Sequence, residues 1–374
     1  MIYLDYAATT PISETALHTY NEVANNFFAN SNSLHDYGDQ ANQVYSLCMK
    51  NIGEILNAKP DNIYFTNGGS ESNLIAIDLL LSLSDRREII VSKAEHNSVH
   101  QAMSLYETKG YEIKWIEFGK NYIVNMKKLN ELVSNNTALV VLQHVNGEIG
   151  TIQPVEEVSE LCQRNGAYFH IDAVQSFGQV NCNHLSSLAT SFSLSGHKIY
   201  GPKGIGLLYF NEEKFDRINS FSKIVLEGNT TDLPTICAFT TALEEADERR
   251  FLEEKRLKDL RIKFIHQINN IKDLSIIEGK EDIQVPSIVG LSIKYIEGQY
   301  MMLECNRKGF AISTGSACDV KYQSYPKIVE AIEGEDLHNN FFRVSFGRLT
   351  TEEDLSNFSI VMNEICHSSI LNRR

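Results

Sequence analysis

No stretch of this sequence approaches the ~20 consecutive apolar residues that a membrane-spanning helix needs. The longest candidate, 74–83, is interrupted by Asp78 and Ser82. The amino-terminal residues Met-Ile-Tyr-Leu-Asp-Tyr lack the basic-then-apolar arrangement of a secretory signal. Positive charge is scarce: 34 Lys and Arg stand against 48 Asp and Glu, a net charge of −14. Such a chain has no long-range attraction to phosphate backbones or anionic lipid, so neither nucleic acid nor membrane is expected as a partner. Cys-x-x-Cys does not occur among the 7 cysteines, whose positions (48, 162, 182, 237, 305, 318 and 366) are irregular. That pattern excludes a zinc ribbon and a thioredoxin-like dithiol and predicts no metal site. It points to a reducing, cytoplasmic setting in which most thiols are buried small apolar side chains. Internal repeats, low-complexity tracts and Pro/Ser-rich linkers are missing too.

What is present is an ordinary globular mixture, 43% apolar and 22% charged over 374 residues, enough for two or three lobes. Runs rich in β-branched and aromatic residues at 63–66, 88–92, 113–118, 138–144, 168–172, 191–194 and 206–210 alternate with helical periodicities at 70–82, 99–109, 126–134 and 155–165. This alternation predicts an α/β lobe whose seven-stranded, mostly parallel sheet is covered by helices on both faces. Ligands of such sheets sit at the carboxyl ends of the strands. After Leu233-Pro234 the rhythm changes to one long helical pattern over 236–271, read as a connection between lobes. Strand patterns near 288–294 and 341–345 then predict a smaller α+β lobe, and an amino-terminal strand at 2–6 fits either lobe.

Five segments carry chemistry. In Ser193-Leu194-Ser195-Gly196-His197-Lys198 a strand runs into a small-residue turn ending on lysine. Burial would make Lys198 a nucleophilic amine suited to a Schiff base, with Ser195 and His197 beside it to bind an anion; a solvated surface lysine fits the segment equally well. In Thr66-Asn67-Gly68-Gly69-Ser70-Glu71 a Gly-Gly turn opens a helix whose free N–H groups suit a phosphate, although such turns also simply start helices. Asp172 closes an apolar strand, as a helix cap or as the partner of a cationic ring nitrogen. His96, at a strand exit, suits stacking on a flat cofactor better than metal ligation with His100, since no further ligands accompany the pair. Cys318 lies among small residues in Ser313-Thr314-Gly315-Ser316-Ala317-Cys318, as an inert thiol or one that travels to its target.

Taken together and in this order, the segments resemble the cysteine desulfurases of the NifS-like group, class-V enzymes of the aspartate-aminotransferase fold that use pyridoxal 5'-phosphate (PLP). The resemblance runs from Tyr3-Leu4-Asp5-Tyr6-Ala7-Ala8-Thr9-Thr10-Pro11 to Arg343-Val344-Ser345-Phe346-Gly347-Arg348. It implies a PLP-dependent transferase of fold type I, with a large domain at 14–255 and a small domain made of 1–13 and 256–374. Lys198 matches the lysine that holds PLP covalently, and Asp172 the carboxylate paired with its ring nitrogen. His96 would stack on the ring and Gln175 bond its phenolic oxygen. Gly69, Ser70, Ser195 and His197 would hold the phosphate, together with Thr230 reaching the site of a partner subunit. Asn146 and Arg343 would position the substrate, and Cys318 would accept its sulfur. The implied reaction turns L-cysteine into L-alanine and leaves a persulfide, in a homodimer that serves a sulfur-acceptor protein in iron–sulfur assembly or thiolation. A selenocysteine lyase, a β-lyase, an aminotransferase or a non-catalytic relative would share the fold. Two departures stand out: Asn146-Gly147 where the family has paired asparagines, and Glu227 where its Arg-x-Gly-Thr stretch has arginine.

Overall fold

The computed structural model describes residues 1–211, 231–314, 327–332 and 339–371. Thr230, Cys318 and Glu227 lie outside the described residues. Strands, in chain order, are β1 (Ile2–Tyr3), β2 (Ile63–Thr66), β3 (Glu88–Ser92), β4 (Glu112–Ile116), β5 (Thr137–Gln143), β6 (Tyr168–Asp172), β7 (Ser191–Ser195), β8 (Gly206–Phe210), β9 (Leu274–Ile277), β10 (Ile288–Ile293), β11 (Phe310–Ala311) and β12 (Phe341–Ser345).

Seven of them form the main sheet, in the order β2-β8-β7-β6-β5-β3-β4. Every residue of β3, β5, β7 and β8 is buried. Continuous rather than alternating burial is what a parallel sheet with two covered faces demands. Only β8 runs against its neighbours β2 and β7. The short return from Ser195 to Gly206 explains it, because a parallel crossover needs a dozen or more residues and usually a helix. The helix Gly69–Ser82 covers one face, burying Ile75, Ala76, Ile77, Leu79, Leu80 and Leu81. Strand edges differ from the sequence expectation by one or two residues, as at β4 and β5.

Two helices escape the sequence pattern. Glu14–Asn26 buries only Ala16 and Val23, too thin a stripe to read as periodic. Its start is fixed by Ser13, whose Oγ accepts from the Ala16 N–H at 3.1 Å. Asp36–Leu56 ends on Asn57 in the left-handed region at φ 48°. Both pack on the long helix Leu233–Ile268. That helix starts three residues before the expected 236, because Asp232 accepts from the Thr235 N–H at 3.3 Å and Pro234 sits in the first turn, where its missing N–H costs nothing. Its first half packs Ile236, Phe239, Leu243 and Ala246 into the core beneath the main sheet. Its second half packs Leu257, Leu260, Phe264 and Ile268 into a second core.

That second core belongs to the antiparallel sheet β12-β10-β9. The amino terminus joins it: β1 pairs with β11, and Asp5 bridges to Ser345. Regular pairing stops at Tyr3 rather than Tyr6, since the chain then turns toward the carboxyl ends of the main strands. Among the described residues no helix is long and apolar enough to cross a membrane.

At the edge of the main sheet, β8 touches the Gly-Gly turn. A Cβ on Gly206 would lie 2.5–2.8 Å from the backbone of Gly68. Gly206→Ala therefore forces the turn outward; we expect a loss of about 1–3 kcal/mol in equilibrium unfolding, measured by denaturant titration.

Candidate active site

A cavity of about 430 Å³ opens at the carboxyl ends of the main strands. Gly69, Ser70, His96, Asn146, Asp172, Gln175, Ser195, His197, Lys198 and Arg343 all line it. Residues far apart in sequence, such as Lys198 and Arg343 at 145 positions, meet there because every main strand but β8 points the same way and the second lobe closes over the strand ends.

Asp172 ends β6 and is only 7% exposed. Its Oδ1 accepts from the Val174 N–H at 3.0 Å and its Oδ2 from Asn73 Nδ2 at 2.7 Å. Behind it the chain of bonds continues: Asn73 Oδ1 lies 3.0 Å from His170 Nε2, and His170 Nδ1 lies 2.8 Å from Ser191 Oγ. Burial pushes His170 down to about 4, so the ring is neutral at pH 7. An amide oxygen only accepts, so the proton sits on Nε2 and Nδ1 accepts from Ser191. The carboxylate is thus aimed by a relay of one defined hydrogen-bond direction. Asn73, His170 and Ser191 were missed in the sequence; a polar Asn inside the apolar helix Gly69–Ser82 was the available signal.

His96 caps the helix Asn97–Thr108: the Ser98 N–H donates to its Nδ1 at 3.2 Å, with Ser98 Oγ 2.9 Å away. A ring that accepts at Nδ1 carries its proton, when neutral, on Nε2. Its neighbour Glu95 is fully buried, beside the cavity. Glu95 Oε1 accepts from the Gln143 N–H at 2.8 Å, while Oε2 has no partner among the described residues. Burial, and then the charge of Asp172, push this carboxyl up to about 8. It is a neutral acid at pH 7, a feature the sequence did not announce.

The Gly-Gly turn supplies an anion cradle. Gly68 takes φ 144°, a conformation other residues avoid, and the helix Gly69–Ser82 begins with no side-chain cap. A Cβ on Gly69 would lie 2.5 Å from Val174. Opposite the turn, Ser195 Oγ is buried with no partner among the described residues. His197 Nδ1 lies 3.3 Å from Thr9 Oγ1. Burial, then the charges of Lys198, Lys203 and His96, depress His197 to about 4. Lys198 Nζ donates to the carbonyls of Ala7 and Ala8, the latter at 3.0 Å. Gln175 Nε2 also donates to Ala7 O, at 2.8 Å, leaving one amide hydrogen for another acceptor.

On the far wall Arg343, from β12, is 3% exposed. It donates through Nη1 to Gly147 O and through Nη2 to Asp5 Oδ1, both at 2.7 Å, and its Nε has no partner among the described residues. Part of the fork that the sequence reading reserved for a substrate carboxylate is therefore engaged with Asp5, and the Nε side remains. Asn146 Oδ1 accepts from the N–H groups of Glu148 and Ile149, which leaves its Nδ2 as the donor for a ligand. Glu148 in turn accepts from the N–H groups of Lys327 and Ile328 at 2.9 and 2.8 Å.

The sequence matches the family described as Aminotransferase class-V over residues 2–358. The chain belongs to that family. A NifS protein of Bacillus subtilis (strain 168) is 36% identical over 364 residues, covering 95% of this chain and 92% of its own. The cysteine desulfurase IscS of Dictyoglomus turgidum is 32% identical over 363 residues, with 95% and 92% covered. Among solved structures, a NifS-like protein superposes with a TM-score of 0.89 at 26% identity, covering 98% of this chain and 99% of that one. A structure of SspA in complex with cysteine superposes with a TM-score of 0.76 at 25% identity, covering 92% and 99%. Class-V aminotransferases use PLP. The cavity fits it: the uncapped helix start, the glycine at 69 and the orphaned Ser195 hydroxyl suit a phosphate, and Asp172 suits a cationic ring nitrogen.

Glu95 offers a pH test. Its proton is bound in the folded state but lost from the unfolded chain above the ordinary carboxylate range. Stability due to this group therefore falls as pH rises from about 5 to about 8, by at most roughly 1.4 kcal/mol per pH unit. Glu95→Gln removes that slope, so denaturation midpoints of the variant and the parent should diverge in favour of the variant over this range. Parallel curves would refute the neutral acid.

Proposed function

We propose that this protein is a PLP-dependent cysteine desulfurase, which converts L-cysteine to L-alanine and retains the sulfur as a persulfide on Cys318. The observation that carries the reading is the meeting of Lys198, Asp172, His96 and Arg343 in one cavity beside an anion cradle. When bound, the cofactor supplies an electron sink for the pair left at the substrate Cα. Gly69, Ser70, Ser195 and His197 would hold its phosphate, Asp172 its ring nitrogen, Gln175 its phenolic oxygen and Lys198 its reactive carbon. His96 would stack on the ring, and Thr230 would reach the phosphate of a partner's site.

Arg343, through the Nε side of its fork, and Asn146, through Nδ2, orient the amino acid by its carboxylate. Lys198, as a neutral amine beside the substrate Cα, would take its proton. The Cys318 thiolate attacks the substrate sulfur: an S–S bond forms, the Cβ–S bond breaks, and the carbon skeleton regains protons and leaves as alanine. His96, protonated on Nε2, moves a proton at the sulfur. Net, cysteine plus enzyme thiol give alanine plus enzyme persulfide. Residues 14–255 form the cofactor lobe in this reading, and 1–13 with 256–374 the lobe bearing Cys318. A sulfur-acceptor protein, in iron–sulfur assembly or thiolation, takes the sulfur in the cytoplasm.

A homodimer is part of the proposal. Leu34, Phe28 and Tyr37 are 106%, 72% and 61% exposed in and beside the helix Asp36–Leu56, a cluster that a second copy would cover. Sedimentation should give twice the chain mass, and Leu34→Asp should shift the protein toward monomer.

The decisive assay follows alanine and sulfide release from L-cysteine with dithiothreitol. The holoprotein should absorb near ~420 nm, as a lysine-held PLP does, and borohydride should tag Lys198. Cys318→Ala should lower desulfuration by at least about 100-fold. Undiminished turnover in that variant would instead indicate a β-lyase or an aminotransferase. Arg343→Lys should raise KM for cysteine by about 10-fold or more.

A further inference from the structure

Six cysteines among the described residues are free and buried. Two of them touch: Cys48 Sγ and Cys237 Sγ are 3.4 Å apart although 189 positions separate them in sequence. Cys48 lies on the inner stripe of the helix Asp36–Leu56, with Ala41 and Ile52. Cys237 lies in the second turn of the helix Leu233–Ile268. Their exposures, 7% and 4%, exclude bulky reagents, so only a small oxidant can reach them. Neither thiol belongs to the cavity described above.

We propose that Cys48 and Cys237 are a covalent modification site, oxidised by hydroperoxides to a disulfide that ties these two helices together. The sulfurs are already in contact at 3.4 Å, so little displacement separates them from bonding distance. The two thiols are also unequal. The contact with Cys237, reinforced by the Thr240 hydroxyl, draws Cys48 below its ordinary value against the opposing effects of burial and Glu244. The same contact, with burial, pushes Cys237 up. The thiolate of one of the pair takes one oxygen from the hydroperoxide, giving a sulfenic acid and, after protonation of the leaving oxygen, water or the matching alcohol. The other thiol then displaces water from the sulfenic acid and closes the S–S bond. One peroxide is reduced and two thiols are oxidised.

The tie would bear on the lysine turn. Phe239, half a turn beyond Cys237, meets the Phe65 ring at 6.3 Å and lies 3.2 Å from where a Cβ on Gly196 would stand. Ala242 approaches Gly201 in the same way. Closing so long a loop constrains the unfolded chain, so the oxidised protein should also be the more thermostable form.

The test uses Cys318→Ser holoprotein, which keeps the proposed catalytic thiol out of the readout and makes the result independent of the proposed activity. After graded hydrogen peroxide and alkylation of the remaining thiols, acid peptic peptides are mapped by mass spectrometry without reduction. A Cys48–Cys237 peptide should appear, about 2 Da lighter than its two halves, and should vanish with dithiothreitol. The unfolding midpoint should rise by about 5 °C or more. Cys48→Ser and Cys237→Ser should each abolish the link, and Cys162→Ser should leave it. The proposal fails if either cysteine reaches sulfinic acid unlinked, if the link forms only in denaturant, or if linkage leaves the midpoint unchanged.

Discussion

A buried carboxylate is the constraint around which the rest of the structure is arranged. Asp172 ends a central strand, buried where each of its oxygens needs a hydrogen-bond partner. It accepts from a backbone N–H and from Asn73, and the Asn73 amide is held the right way round by a neutral histidine and a serine. That polar relay occupies the contact between the helix Gly69–Ser82 and strands β6 and β7, where an otherwise apolar interface would pack. Each member satisfies the next, which is the condition under which buried polar groups are tolerable at all. Glu95 is the counterpoint: a second carboxyl close enough to feel Asp172, with one oxygen unpartnered, relieves the conflict by keeping its proton.

Around that fixed point the two lobes contribute different things. The main sheet presents the Gly-Gly turn, His96, Asp172 and Lys198 from its strand ends. The second lobe sends Arg343 across to donate to Gly147 on the opposite wall. The Glu148 carboxylate reaches the other way, to the backbone of Lys327 and Ile328. These reciprocal bonds fix how the lobes meet in a way that the long helix Leu233–Ile268, rooted in both cores, could not by itself.

Much of this was readable from residues. The seven strands announced themselves because buried parallel strands are nearly all apolar, and the Gly-Gly and Ser-Gly-His-Lys turns stood out because small residues at strand ends have few purposes. The helices Glu14–Asn26 and Asp36–Leu56 were not readable, since they bury only a thin stripe between polar residues. Asp5, Asn73, His170 and Glu95 were opaque for another reason. Each draws its meaning from a partner far away in sequence, and a single polar residue in an apolar run gives no hint of which partner that is. The assignments of Thr230 and Cys318 rest on the resemblance, as both lie outside the described residues.

The first eight residues have an unusual obligation. Tyr3 aligns beside Ala311, Asp5 holds Arg343, and the Ala7 and Ala8 carbonyls receive Lys198. A ribosome making this chain releases those residues well before their counterparts, which emerge roughly 200 to 340 positions later. The cavity therefore cannot close as its first wall is made: that segment must wait, unpaired, until Arg343 has been delivered.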